Sequence, residues 1–165
     1  MNLRFLFFVV FLSAPWMAWA GSESPLTTGL PLPRFASLQA DEANLRTGPG
    51  TRYPIEWVYR LEGMPLEITA EYDVWRRVRD WEGSEGWIHK SVLRGRRTGI
   101  VIGQTDQPLM ANEDLDSAVV AYLQPGVVGE IRRCARDSCF LVFGRFKGYL
   151  PKSSFWGAYR AEVFG

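Results

Sequence analysis

Between Phe35 and the C-terminal residues, apolar side chains come in short runs that turn residues interrupt. That punctuation leaves room for little but a β fold. Ile55 to Leu61, Pro65 to Ala70, Val74 to Val78 and Gly86 to Ile88 are brief and rich in aromatic and β-branched residues, with Glu62-Gly63 and Gly83-Ser84 as turns between them. This is the pattern of strands joined by tight connections. Gly and Pro supply 16 and 10 of the 165 residues, which again favours turns over long helices. Glu113 to Leu123 is a weak exception with some helical period, and its acidic residues read equally as a loop.

The runs occur in two sets. Gly86-Trp87-Ile88-His89-Lys90-Ser91 parallels Gly148-Tyr149-Leu150-Pro151-Lys152-Ser153. Upstream, Val58-Tyr59-Arg60-Leu61-Glu62-Gly63 parallels Val120-Ala121-Tyr122-Leu123-Gln124-Pro125-Gly126, and Trp75 with Val78 lines up with Cys139 and Val142. Order and spacing agree, so the chain divides into two copies of one unit, residues 35–95 and 99–165. Arg94-Gly95-Arg96-Arg97 sits at the junction and reads as a solvated linker.

The N-terminus has the layout of an export signal. Arg4 precedes an apolar run from Phe5 to Leu12, and Ala18-Trp19-Ala20 then places small residues at signal-peptidase spacing. The run is too short to span a bilayer, which takes about 20 residues, so residues 1–20 read as a signal peptide rather than an anchor. Residues 21–34, with Ser, Thr, Gly and Pro and no periodicity, read as a flexible linker. An oxidising compartment suits Cys134 and Cys139, whose four intervening residues fit a hairpin closed by a disulfide. Zinc would want about four ligands, and the single histidine, His89, is far off in sequence.

The charge is nearly balanced, 19 basic against 18 acidic residues, which argues against a nucleic-acid footprint. Hydrophobic residues at 47% are enough for packed cores. No nucleophile elbow, phosphate-cradling loop or metal motif is present, so the expectation is a non-enzyme without a cofactor. His89 has no nucleophile partner in any recognisable motif and reads as a structural or surface residue.

The first unit carries Ala43-Asn44-Leu45-Arg46-Thr47-Gly48-Pro49-Gly50-Thr51, a Tyr53-Pro54 pair, the Leu61-Glu62-Gly63 turn, Trp75-x-x-Val78 and Gly86-Trp87-Ile88. In that order these elements strongly resemble the bacterial SH3-like domain, from about Leu38 to Leu93. The second unit has Leu109-Met110-Ala111-Asn112-Glu113-Asp114 where the first has its Gly-Pro-Gly turn, and resembles a divergent branch. The resemblance implies an all-β protein of two small SH3-like barrels packed in tandem. It also implies a periplasmic accessory of the cell envelope that binds rather than reacts. The barrels agree with the residue physics, since Pro between two glycines makes a stiff, tight turn and short strands close into barrels that hide their edges.

Side chains alternate along a strand, so Trp75, Arg77, Arg79 and Trp81 share one face, with Arg76, Val78 and Asp80 on the other. With Val78 in the core, the Trp-Arg face points outward. The expected ligand groove comprises Tyr53, Tyr59, Trp75, Arg77, Trp81 and Trp87, where aromatic stacking and guanidinium donors act together. Its partner would be cell-wall peptide or glycan, or alternatively an envelope protein, with no nucleic acid and no membrane span in the mature chain. No oligomeric state is specified. Cys139 to Phe143 is apolar on both faces, which predicts burial on both. The cover would be the first unit or the C-terminal segment with Phe155, Trp156, Tyr159 and Phe164.

Overall fold

The structure, a computed structural model, describes residues 27–165. The stretch read as a signal peptide and the first residues of the stretch read as a linker lie outside the described residues. The described chain is all β, in two antiparallel seven-stranded sheets. The first contains β1 (Arg34–Leu38), β2 (Ala43–Arg46), β3 (Ile55–Tyr59), β4 (Pro65–Tyr72), β5 (Trp75–Arg79), β6 (Glu85–His89) and β7 (Leu93–Arg94). The second contains β8 (Thr98–Val101), β9 (Gln107–Met110), β10 (Val119–Leu123), β11 (Val128–Cys134), β12 (Ser138–Phe143), β13 (Phe146–Pro151) and β14 (Phe155–Trp156). A single 3-10 turn, Lys90–Val92 or Lys152–Ser154, precedes the last strand of each sheet.

The strand orders are β3-β2-β6-β5-β4-β1-β7 and β10-β9-β13-β12-β11-β8-β14. The second order is the first advanced by seven strands, so both halves have one architecture. Each surrounds its own core: Leu38, Leu45, Met64, Leu66, Val78 and Ile88 in one, Leu109, Ile131, Cys139, Leu141, Leu150 and Phe155 in the other. Burying such a side chain stabilises by about 1.5–3 kcal/mol. Glu113 to Leu123 forms no helix; it is loop followed by β10.

The glycine that opens each Gly-aromatic pair is dictated by close strand approach. A Cβ on Gly86 would lie 2.6 Å from Leu45 Cγ and 2.8 Å from the Arg46 carbonyl oxygen. On Gly148 it would lie 2.9 Å from Leu109 Cγ and 2.5 Å from the Met110 carbonyl oxygen. This equivalence corrects the alignment read from sequence. Val78 lies opposite Gly86, and Leu141 opposite Gly148. The core partner of Val78 is therefore Leu141, not Val142. A slip of one residue moves a side chain to the other face, and Val142 is indeed on the outer face, half-buried.

β12 is thus not buried on both faces. Cys139, Leu141 and Phe143 enter the core, while Phe140 and Val142 are half-buried on the outside. The C-terminal segment goes elsewhere. Phe155 joins the second core, and Phe164 exchanges backbone hydrogen bonds with Cys134, N–H to O at 2.7 and 3.1 Å. Trp156 and Tyr159 meet Phe35 of the first sheet, at centroid distances of 5.2 and 4.8 Å.

Arg97 closes this seam and is no solvated linker residue. It holds Glu162 through two hydrogen bonds of 2.6 and 2.9 Å and donates to the Gly157 carbonyl at 2.8 Å. Its guanidinium carbon sits 5.5 Å from the Phe35 ring centroid and 4.9 Å from that of Phe164. The described part of the N-terminal stretch is likewise anchored rather than free. The Thr28 N–H and hydroxyl each donate to the Glu71 carboxylate at 2.7 Å. Burial alone would raise the Glu71 pKa, but hydrogen bonds from Arg34 and Thr28 override it and hold it at about 2. Cys134 and Cys139 are joined in a disulfide and face each other across the β11–β12 hairpin.

Candidate binding face

The outer face of the first sheet is built rung by rung. Arg46, Trp87 and Arg77 lie opposite one another on β2, β6 and β5. The next rung pairs Trp75 with His89, ring edge to ring face at 5.5 Å and 83°. β5 alternates as its sequence implies: Arg76, Val78 and Asp80 are buried, Trp75 and Arg79 half-buried and Arg77 exposed. A cleft of about 210 Å³ is lined by Trp75 and His89 together with Asn44, Arg46 and Thr51.

Arg46 ties the Gly-Pro-Gly loop to this face. One guanidinium nitrogen donates to the carbonyl oxygens of Tyr53 at 2.8 Å and Thr51 at 3.2 Å. The Tyr53 ring packs on the loop so closely that a Cβ on Gly48 would lie 2.5 Å from it. Arg77 pairs with Glu85 at 2.6 Å, both partly exposed, so this pair costs little to break. The Ser91 N–H donates to His89 Nδ1 at 3.2 Å, and Ser91 Oγ lies 2.6 Å from the same nitrogen. With Nδ1 accepting, neutral His89 carries its proton on Nε2.

The structure brings Trp75, Arg77 and Trp87 together on β5 and β6 and sets Tyr53 against the loop that Arg46 holds. It separates two others. Tyr59 is 4% exposed and belongs to the core, so it lines no groove. Its hydroxyl donates to Asp80 Oδ2 at 3.0 Å, while Asp80 Oδ1 accepts from the N–H groups of Glu82 and Ser84 at 3.0 and 2.8 Å. Burial first, then the Asp80 charge, pushes the Tyr59 pKa far up. Trp81 packs on the core from beyond the far end of β5 and borders a different cleft, with Arg79 and Trp156. Arg46 and His89 belong to the face and were absent from the groove read in the sequence. The signal for Arg46 was available, since it sits inside the Asn-Leu-Arg motif. Among the described residues no cluster of three or more His, Cys, Asp or Glu side chains could hold a metal ion. No helix among them is long and apolar enough to cross a membrane.

No curated protein matches the chain. Among solved structures it is similar to NlpC1 from Trichomonas vaginalis, at 11% identity and a TM-score of 0.35, over 80% of this chain and 48% of that one. It is also similar to NlpC2 from the same organism, at 11% identity and a TM-score of 0.36, over 81% and 51%. The chain spans about half the length of each. Residues 39–95 match the model of the bacterial SH3 domain family, a span that holds the whole Arg46–Trp87–Arg77 rung. Residues 39–95, which hold β2 to β7, are therefore similar to a bacterial SH3 domain, and the aromatic–arginine face lies on the outer side of that segment.

Proposed function

We propose that the protein is an exported, non-catalytic binding module of the cell envelope and that its first sheet recognises the peptide or glycan of peptidoglycan. The observation that carries this reading is the Arg46–Trp87–Arg77 rung beside Trp75 and His89. Guanidinium groups present forked donors to peptide carboxylates, and indole rings offer stacking surface to sugar or peptide planes. The disulfide and the export-like N-terminal sequence support placement outside the cytoplasm, and the periplasm suits both. The two halves act as tandem SH3-like units, the second divergent. Both cysteines are paired, and the His89–Ser91 contact caps a 3-10 turn, so neither supplies an activated nucleophile.

Co-sedimentation with purified peptidoglycan across a salt series tests the reading. Binding should weaken with salt as the arginine contribution is screened, yet persist through the aromatic contribution. Removing a central aromatic anchor costs about 2 kcal/mol, roughly thirtyfold in affinity, so Trp75→Ala should abolish sedimentation at working concentrations. Absence of binding at low salt, or full binding by a folded Trp75→Ala protein, refutes it.

A further inference from the structure

The second sheet carries the same rung with different chemistry. In the first sheet one line of register runs Ile55, Arg46, Trp87, Arg77, Ala70. In the second the corresponding line runs Val119, Met110, Tyr149, Phe140, Arg133. Gly86 and Gly148, each pressed against the strand behind it, fix the correspondence. Both arginines of the first line are replaced by apolar residues in the second. With strands about 4.8 Å apart, five residues in line span about 19 Å.

This line is surface, not core. Val119 is 42% exposed on β10, the edge strand of its sheet, and Met110, Tyr149 and Phe140 are half-buried. Arg133 lies flat at one end, its guanidinium carbon 4.6 Å from the Phe140 centroid and 5.5 Å from that of Tyr149, and it donates to the Tyr149 hydroxyl. The neighbouring rung holds Glu130, Val142 and Lys147. Glu130 is already shared between Arg132 and Arg96. Arg133 and Lys147 form no ion pair with any described residue, so the uncompensated charge on this face is positive.

We propose that the outer face of the second sheet is a separate docking surface for an extended segment of a protein partner that presents apolar side chains next to a carboxylate. An extended strand advances about 3.3 Å per residue, so the line accommodates about six residues, with alternate side chains against Met110, Tyr149 and Phe140. The carboxylate meets Arg133 or Lys147. The face offers few hydrogen-bonding groups for a sugar, and its positive charge disfavours a basic segment. This surface stands apart from the peptidoglycan reading of the first sheet.

Phage-displayed random nonapeptides selected on the protein provide the test. Enriched peptides should place an acidic residue beside apolar ones. Arg133→Glu and Phe140→Ser should each weaken the best synthetic peptide at least tenfold, and Trp75→Ala should leave it unchanged. Arg133 is exposed, so its variant keeps the test valid if Phe140→Ser fails to fold. No enrichment, enrichment of basic peptides, or loss of binding in Trp75→Ala overturns the proposal. So does a concentration-dependent dimer that Arg133→Glu abolishes, which would make a second copy of the chain the occupant. Peptidoglycan sedimentation by the same variants reads the first face independently.

Discussion

Replacing Gly86 with Ala isolates the close approach of β6 to β2. Only a methyl group is added, and Gly86 is absent from the positive-φ glycines, so the backbone conformation is open to alanine. The new Cβ meets Leu45 Cγ at 2.6 Å and the Arg46 carbonyl oxygen at 2.8 Å. The first contact can relax through rotation of a leucine, but the second is main chain. β2 must move by several tenths of an ångström, and Arg46 moves with it. Overpacking of this kind costs about 1–3 kcal/mol, and the stiffer unfolded chain returns about 0.4–1 kcal/mol. The net loss is about 1–2 kcal/mol, a fall of about 0.5–1 M in urea midpoint for a slope near 2 kcal/mol/M. Gly95→Ala is the control, since nothing lies within 4 Å of its Cβ, and it should be neutral or slightly stabilising. Urea unfolding followed by tryptophan fluorescence compares the two. Equal midpoints for Gly86→Ala and Gly95→Ala would refute the packing of β6 on β2 and, with it, the rung that places Trp87 beside Arg46.

Tyr59→Phe leaves a buried carboxylate oxygen of Asp80 without its donor, a loss of about 1–3 kcal/mol in urea unfolding at neutral pH. The Tyr59 pKa is raised above its usual 10.0, so the folded state favours the neutral phenol. Its contribution is whole below pH 10 and shrinks as pH rises above it; the variant should show a shallower alkaline loss than the parent, and parallel curves would count against the Tyr59–Asp80 bond. Replacing Cys134 and Cys139 together by Ala should cost about 2 kcal/mol, the restriction expected of so short a loop. Amide exchange at Phe164 should quicken as well, because its partner is the Cys134 backbone; unchanged exchange there would separate the tail from the disulfide.

What could be read from the sequence were the features that depend on near neighbours. Turn residues marked the strand ends, β5 alternated as written, and the spacing of Cys134 and Cys139 anticipated their bond. The misreadings involve distant partners. Tyr59 lies in the core, where its hydroxyl finds a partner in Asp80, 21 residues away. Arg97 looked like linker because its partner Glu162 lies 65 residues on. Matching Trp75 to Cys139 put the repeats one residue out of register, which hid the outward position of Phe140. Composition then implied that an all-apolar strand must be covered, whereas alternation places half of it in the core and leaves the other half as surface. Arg46 lies on β2, 41 residues before Trp87, and only strand pairing sets the two side by side.

The seam at Phe35 has a thermodynamic consequence. A barrel of about 60 residues buries only about 60% of its unfolded-chain surface and is marginal alone. Here Trp156 and Tyr159 of one half cover Phe35 of the other, while Arg97 bridges Phe35 and the C-terminal residues. Melting either half strips cover from its neighbour, so the loss of one core lowers the stability of the next. The pair should therefore share one cooperative transition, and a substitution in the second barrel should register in the fluorescence of tryptophans that belong to the first.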